Sequence, residues 1–308
     1  MKGRIEEIDI AKGICILLMV VGHSGAPKSV IYYIYAFHMP FFFFVSGITT
    51  TIDKPFLQFF KGKFKGLVVP FLFYYVIYLL CYSALYHRGI LEQLQQDIQT
   101  HIRMALWFVP ILFFAQIINW IIPRERYMEV MSAIILAAIS SVLCLENVNL
   151  PWSLSGLGFA SAFVLLGRVM SLGGAKCIFR QSRNNLKAII SVLISAITVY
   201  YISYRYHKFD LGYDWVEPGM IRMAGALIGI TMVLMISSLL VRWKIISHFL
   251  VYTGINTFVF IGLSQIVLKV VNLYLYDFLL LKYVVVFAVL YTIIYLKNKL
   301  PIAKSLRL

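Results

Sequence analysis

The chain has 308 residues, of which 61% are hydrophobic and 13% charged, and its mean hydropathy is +0.85. Soluble domains carry roughly 45–50% apolar and about 25% charged residues, so this composition excludes a soluble globular protein, a disordered chain and a disulfide scaffold, and leaves a polytopic membrane protein. The formal net charge of +15 would suggest nucleic acid on a soluble protein. In a membrane protein it reflects Lys and Arg in cytoplasmic loops, so membrane lipids, not nucleic acid, are the expected surroundings.

About ten apolar stretches approach the ~20 residues a helix needs to cross a bilayer. They lie near 8–23, 30–50, 66–86, 104–122, 128–145, 153–171, 186–206, 220–241, 249–272 and 275–296. The runs lack the alternation of a membrane barrel, and helices satisfy their own backbone in lipid. The expected fold is an all-α polytopic bundle without a soluble domain, a single unit over 1–308. The first stretch carries Asp9, Lys12 and His23 and is followed by no small-x-small cleavage site, so it is expected to be retained.

Basic residues set the orientation. Lys2 and Arg4, the cluster Lys54, Lys61, Lys63 and Lys65, then Arg124 and Arg126, then Lys176, Arg180, Arg183 and Lys187, then Arg242 and Lys244, and finally Lys297, Lys299, Lys304 and Arg307 fall in alternate segments. The intervening segments hold Lys28, Arg88, Arg103, Arg205 and Lys208. The positive-inside rule then places both termini in the cytoplasm. Residues 91–102 have apolar positions at 91, 94, 98 and 102, a helical spacing that fits an amphipathic helix at the outer surface or a solvated loop helix. The stretch 172–185 reads as a basic loop.

Ionisable residues inside spans are costly and mark functional hypotheses. Asp9 and Lys12 share a helix face, and Lys12 and His23 are eleven residues apart, close to three full turns and roughly 16 Å along the axis. The alternative is that Asp9 and Lys12 are interfacial anchors and His23 ends the helix. In the second span His38 requires a partner or a polar cavity, and Pro40 frees the carbonyl of Ala36 and predicts a kink beside His38. Phe41 to Phe44 suit packing or lipid contact, and Ser46 with Gly47 permits close helix approach. Trp107 fits an interfacial belt. Arg168 suits lipid phosphate, Arg222 an ion pair with Glu217, and Asn256 with Thr257 a bridge between helices. The four cysteines form no CxxC pair or metal spacing, and no metal is expected. No phosphate-binding loop, GxGxxG, HExxH or GxSxG stands in the chain.

The stretches IDIAKGICILLMVVGH (8–23), YAFHMPFFFFVSG (35–47), ALWFVP (105–110), LPW (150–152) and GINTF (254–258) together resemble the integral-membrane acyltransferase-3 family, most nearly its short sugar O-acetyltransferase branch, related to the fucose 4-O-acetylase group. The resemblance implies ten or so transmembrane helices in the bacterial cytoplasmic membrane. It also implies transfer of an acyl group, commonly acetyl from cytoplasmic acetyl-CoA, to a hydroxyl of a cell-surface glycan or its lipid-linked precursor, with no bound cofactor. It makes His23 and the basic residue at Lys12 essential and includes His38 in the motif. His23 and His38 are therefore the candidate catalytic residues; Asp9, Lys12, Ser46, Trp107, Arg222 and Asn256 are the candidate substrate-binding ones. Lys12 stands where many members have Arg, and Ser264 and Gln265 stand where members often have His. The rival class is a transporter or flippase that uses the intramembrane His, Lys and Asp as a proton relay.

Overall fold

Alternating apolar runs and basic connections fold, in the computed structural model, into a helical bundle described for residues 5–99, 102, 104–148, 150–182, 186–206, 219–275 and 278–299. Lys2, Arg4, Arg103, Arg183, Lys208, Glu217, Lys304 and Arg307 lie outside the described residues, and so does the expected Glu217–Arg222 pair. The helices are α1 (Glu6–Gly22), α2 (Lys28–Tyr35), α3 (His38–Thr49), α4 (Phe56–Lys63), α5 (Val69–Tyr86), α6 (Ile90–Gln99), α7 (Phe108–Ile121) and α8 (Arg126–Leu145), then α9 (Leu157–Ser182), α10 (Leu186–Tyr206), α11 (Gly219–Leu240), α12 (Lys244–Ile255), α13 (Thr257–Leu275) and α14 (Leu279–Lys299). A π-turn over 64–68 fuses α4 to α5, and 3-10 turns over 104–107 and 151–156 lead into α7 and α9.

Nine of the described helical segments are long and apolar enough to cross a membrane, and each of the ten expected stretches has a helical counterpart. The remaining one is α1, with 17 residues and the charged Glu6, Glu7, Asp9 and Lys12, about 25 Å long at 1.5 Å per residue. The lipid side is written in exposed apolar side chains. Ile134, Ile135, Ile139 and Val142 of α8, Leu193, Ile194 and Ile197 of α10, and Leu280 and Val284 of α14 all face outward, as a multi-pass membrane protein requires.

Two glycine crossings hold the centre. Gly13 of α1 faces the Leu250 carbonyl of α12, and Gly254 of α12 faces the Asp9 carbonyl; a Cβ on either would run into that backbone. Gly47 of α3 and Gly167 of α9 make the same reciprocal contact through the Val164 and Phe44 carbonyls. In lipid no hydrophobic force pulls helices together, so close backbone approach through small residues supplies the packing. Phe41 to Phe44 are buried beside the second crossing, so they pack and do not face lipid.

Several expectations change. The stretch 249–272 is two helices, α12 and α13, broken at Asn256. The break falls within 254–257, where Asn256 caps α12 and α13 restarts at Thr257. The expected loop 172–185 is helical as far as Ser182, beyond a break at Ser171, where φ is 55°. Residues 90–99 do form a helix, but Gln93 and Asp97 are its buried side, while Leu91 is 80% exposed and Ile98 50%. Gln93 donates to Tyr78 Oη (3.0 Å) and to Asp97 Oδ1 (2.8 Å), and Tyr75 donates to Asp97 Oδ2 (3.1 Å). Gln93 and Asp97 of α6 thus turn onto the tyrosines of α5, while the expected apolar positions divide: Leu91 and Ile98 face outward, Leu94 packs against the core and Ile102 is buried in it. Arg168 does not reach for lipid phosphate: its Nε pairs with Glu129 Oε1 at 2.8 Å, both side chains under 10% exposed. It also donates to the carbonyls of Asn119, Ile122 and Pro123, which ties α7, α8 and α9 together.

Candidate active site

The unbroken α1 realises the expected Lys12–His23 spacing. His23 caps the helix, its backbone N–H donating to the Met19 carbonyl. The turn that follows returns the chain through Pro27 into α2, which runs only to Tyr35. The helix then breaks at Ala36 and Phe37 and restarts at His38, where the missing amide of Pro40 placed the kink.

The expected depth difference between His38 and His23 is about 10 Å at 1.5 Å per residue. Tyr35 spans the space between the two imidazoles, its ring centroid 5.5 Å from that of His23 and 4.9 Å from that of His38. The Tyr35 hydroxyl lies 2.9 Å from His23 Nδ1. Gly22 makes room, since a Cβ there would meet the Tyr35 ring at 2.8 Å. His38 is 2% exposed, and its Nδ1 lies 2.9 Å from the Ile34 carbonyl. A carbonyl only accepts, so the His38 proton sits on Nδ1, and in the neutral ring Nε2 is the acceptor nitrogen.

A second anchor fixes the His23 turn. Lys282 of α14 is 4% exposed and donates to the Ser24 carbonyl at 2.8 Å, while the Ser24 hydroxyl bonds Tyr283. Neither Tyr35 nor Lys282 was marked by the sequence. An unusual intramembrane lysine was the available signal for Lys282, and its position three residues before His38 was the signal for Tyr35.

At the other end of α1, Lys12 Nζ lies 3.4 Å from Asp9 Oδ1, with the lysine side chain 27% exposed and the aspartate 4%. Glu6 accepts from Ser247 of α12. Asn256 is engaged within the bundle. Its Nδ2 donates to the Tyr252 carbonyl and its Oδ1 accepts from Lys297 of α14, both at 2.8 Å; it thus bridges helices at the α12–α13 break. Ser46 accepts from Gln116 Nε2 at 2.5 Å, joining α3 to α7. Trp107 is 8% exposed and packs edge-on against Phe108, so it is a core residue and not a member of an interfacial belt. Arg222 donates to the Tyr206 carbonyl, at the α10–α11 pair. The structure therefore brings His23 and His38 together through Tyr35, keeps Asp9 with Lys12, and distributes Ser46, Trp107, Arg222 and Asn256 among separate contacts.

The LPW stretch is also built with care. Trp152 and Ser153 both take left-handed backbone, with φ of 59° and 58°, which is costly for residues with a Cβ. Ser155 holds the turn by accepting from the Leu150 amide and donating to the Val148 carbonyl, both at 2.9 Å.

Searches of curated proteins and of solved structures return no match. A family model described as an acyltransferase domain matches residues 5–298, nearly the whole chain. The chain is a membrane acyltransferase and belongs to the acyltransferase-3 family.

Proposed function

We propose that the protein moves an acetyl group from cytoplasmic acetyl-CoA to a hydroxyl of a cell-surface glycan or its lipid-linked precursor at the outer face of the bacterial cytoplasmic membrane. The observation that carries this reading is Tyr35 seated between His23 and His38, at the far end of one unbroken helix from Lys12.

Acyl transfer from a thioester needs a base for the attacking hydroxyl, donors for the oxyanion and a donor molecule held in line. Imidazole titrates near neutrality and suits the first task. In this reading His23 donates from Nδ1–H to Tyr35 Oη, which leaves Nε2 with a lone pair for the sugar hydroxyl proton. The alkoxide oxygen attacks the thioester carbonyl, the tetrahedral adduct collapses, the C–S bond breaks, and the CoA sulfur leaves with the proton returned by the imidazolium. His38 is ordered by the Ile34 carbonyl and packs against Tyr35, and its role is to keep that tyrosine in place. Lys12, positioned by Asp9, attracts the CoA phosphates. The roughly 16 Å from Lys12 to His23 along the helix is about the reach of an extended pantetheine arm, so the nucleotide stays at the cytoplasmic end while the thioester meets His23.

The test is release of free CoA from acetyl-CoA by the purified protein, dependent on acceptor, together with mass analysis of surface glycans with and without the gene. A gain of acetyl that requires the gene supports the reading. Substrate translocation without CoA release would favour a transporter and reject it.

A further inference from the structure

Helix α14 opens on a run of leucines that face outward. Leu279, Leu280 and Leu281 are 44%, 81% and 49% exposed, whereas Lys282 beside them is 4% exposed. Lys282 is the fourth residue of its helix. A lysine so close to a helix end can lay its stem along apolar surface and keep its ammonium in water. Here the side chain turns inward, and Nζ donates at 2.8 Å to the carbonyl of Ser24, the residue that follows His23.

Anchoring the turn does not require a charge. The Ser24 hydroxyl already ties that turn to the Val21 carbonyl at 2.7 Å and to Tyr283 of α14, and a neutral amide could hold the Ser24 carbonyl as well. An ionisable group buried in a membrane protein is costly and marks function. An ammonium carries three N–H donors. Ser24 takes one of them, and among the described residues no carboxylate pairs with Lys282. A desolvated positive charge with further donors therefore stands at the turn that carries His23, and what it lacks is an anion.

The acyl-transfer step makes an anion at that place. As the acceptor oxygen bonds to the thioester carbonyl carbon, the C=O π pair moves onto oxygen, and this oxyanion needs donors. His38 does not supply them, because its Nδ1 proton goes to the Ile34 carbonyl and its other nitrogen is an acceptor. The Tyr35 hydroxyl is neutral and engaged with His23. We propose that Lys282 is a further catalytic residue, whose ammonium stabilises the tetrahedral oxyanion formed beside His23. Lys282 keeps its proton throughout. The oxyanion pair re-forms the C=O as the C–S bond breaks, and the proton that leaves with the CoA sulfur is the one His23 took from the acceptor hydroxyl. The proposal rests on the acyl-transfer reading above and adds the oxyanion donor that the two histidines do not provide.

The experiment uses the full-length protein in vesicles of its host membrane, which bring the native acceptor, with radiolabelled acetyl-CoA as the probe. Lys282→Gln keeps an N–H for the Ser24 carbonyl and removes the charge. Loss of one oxyanion donor costs roughly 10²–10³ in kcat. Lys282→Gln is expected to lose that factor in the rate at saturating acetyl-CoA, with KM for acetyl-CoA and the thermal unfolding midpoint unmoved. Lys282→Arg keeps a cation and is expected to stay well above Lys282→Gln. Lys282→Ala leaves space at the turn, and ethylammonium is expected to restore its transfer saturably, whereas neutral acetamide is not. A wild-type rate in Lys282→Gln, or a loss carried entirely by KM, would overturn the proposal. So would equal rescue by acetamide. A rate that falls together with the unfolding midpoint and is not restored by ethylammonium would overturn it too, because an anchor alone predicts that pattern. The acyl-transfer reading fails separately: wild-type protein that moves no label and releases no CoA loses that reading, whereas wild-type transfer with an unimpaired Lys282→Gln loses only the role of this residue.

Discussion

The first helix and the second helical segment reach the same point of the molecule by opposite means. Helix α1 is continuous from Glu6 to Gly22 and holds Lys12 and His23 at a fixed separation on one side. The second segment is interrupted after Tyr35 and resumes at His38, and the interruption places Tyr35 against both imidazoles. A straight rod sets a distance across the bilayer, whereas a rod interrupted beside Tyr35 seats that ring between two imidazoles, one three residues on in its own segment and one at the end of α1. Pro40 supplies the second behaviour by removing one amide, and the run from Ile10 to Val21, without proline, preserves the first.

Substitutions at three positions and one insertion break or sharpen this contrast. The largest effect is expected for His23→Ala, which should lower kcat for acyl transfer by roughly 10²–10⁴, the usual contribution of a positioned general base, with abundance near normal. Retained activity in a well-expressed variant would remove His23 from the base role. Next, one alanine inserted after Leu17 would turn His23 about 100° and move it about 1.5 Å relative to Lys12. Misplacement on that scale costs on the order of 10²-fold, so steady-state transfer should fall by about that factor; full activity would show that α1 does not set the distance.

Lys12→Met should raise the apparent KM for acetyl-CoA by roughly 10–150-fold, since a lost charge-assisted contact costs roughly 1.5–3 kcal/mol, whereas Lys12→Arg should retain substantial activity. An unchanged KM in Lys12→Met, with lost abundance restored by adding Asp9→Asn, would show that the lysine serves only its pair with Asp9. The smallest effect is expected for Tyr35→Phe. It removes one neutral hydrogen bond worth roughly 0.5–1.5 kcal/mol, about a 2–13-fold change, and the loss should fall on kcat with KM for acetyl-CoA unmoved. A pure KM effect would place Tyr35 in donor binding instead.

The contrast also explains what the sequence made legible. Charges in apolar runs are conspicuous, so Asp9, Lys12, His23 and His38 stood out, and the lengths of the apolar runs gave the membrane-crossing stretches but not α4 or the division of 249–272 into α12 and α13. Pro40 announced the break beside His38. Tyr35 did not stand out among 20 tyrosines, because its importance lies in a partner twelve residues away across a turn. Lys282 was as visible as any charge in an apolar run and went unread; what the sequence did not carry were the partners of Lys282 and Glu129, namely Ser24 in the turn after α1 and Arg168 of α9. The α6 spacing correctly signalled a helix, but which face is buried depends on whether water or lipid lies outside, and here Gln93 and Asp97 meet the tyrosines of α5. Asn256 illustrates a third case, where a break lies inside a long apolar run, beside the close crossing at Gly254 and with Lys297 bonded to the Asn256 side chain.

The central claim is that a donor held at the Lys12 end is used by His23 at the other. Inverted membrane vesicles containing the protein, given radiolabelled acetyl-CoA only at their exposed cytoplasmic face, test it most directly. The account predicts label on glycan or lipid-linked sugar in the vesicle lumen, present in wild type and absent in His23→Ala. Label confined to the face that received the acetyl-CoA, or equal lumenal label in His23→Ala, would contradict it.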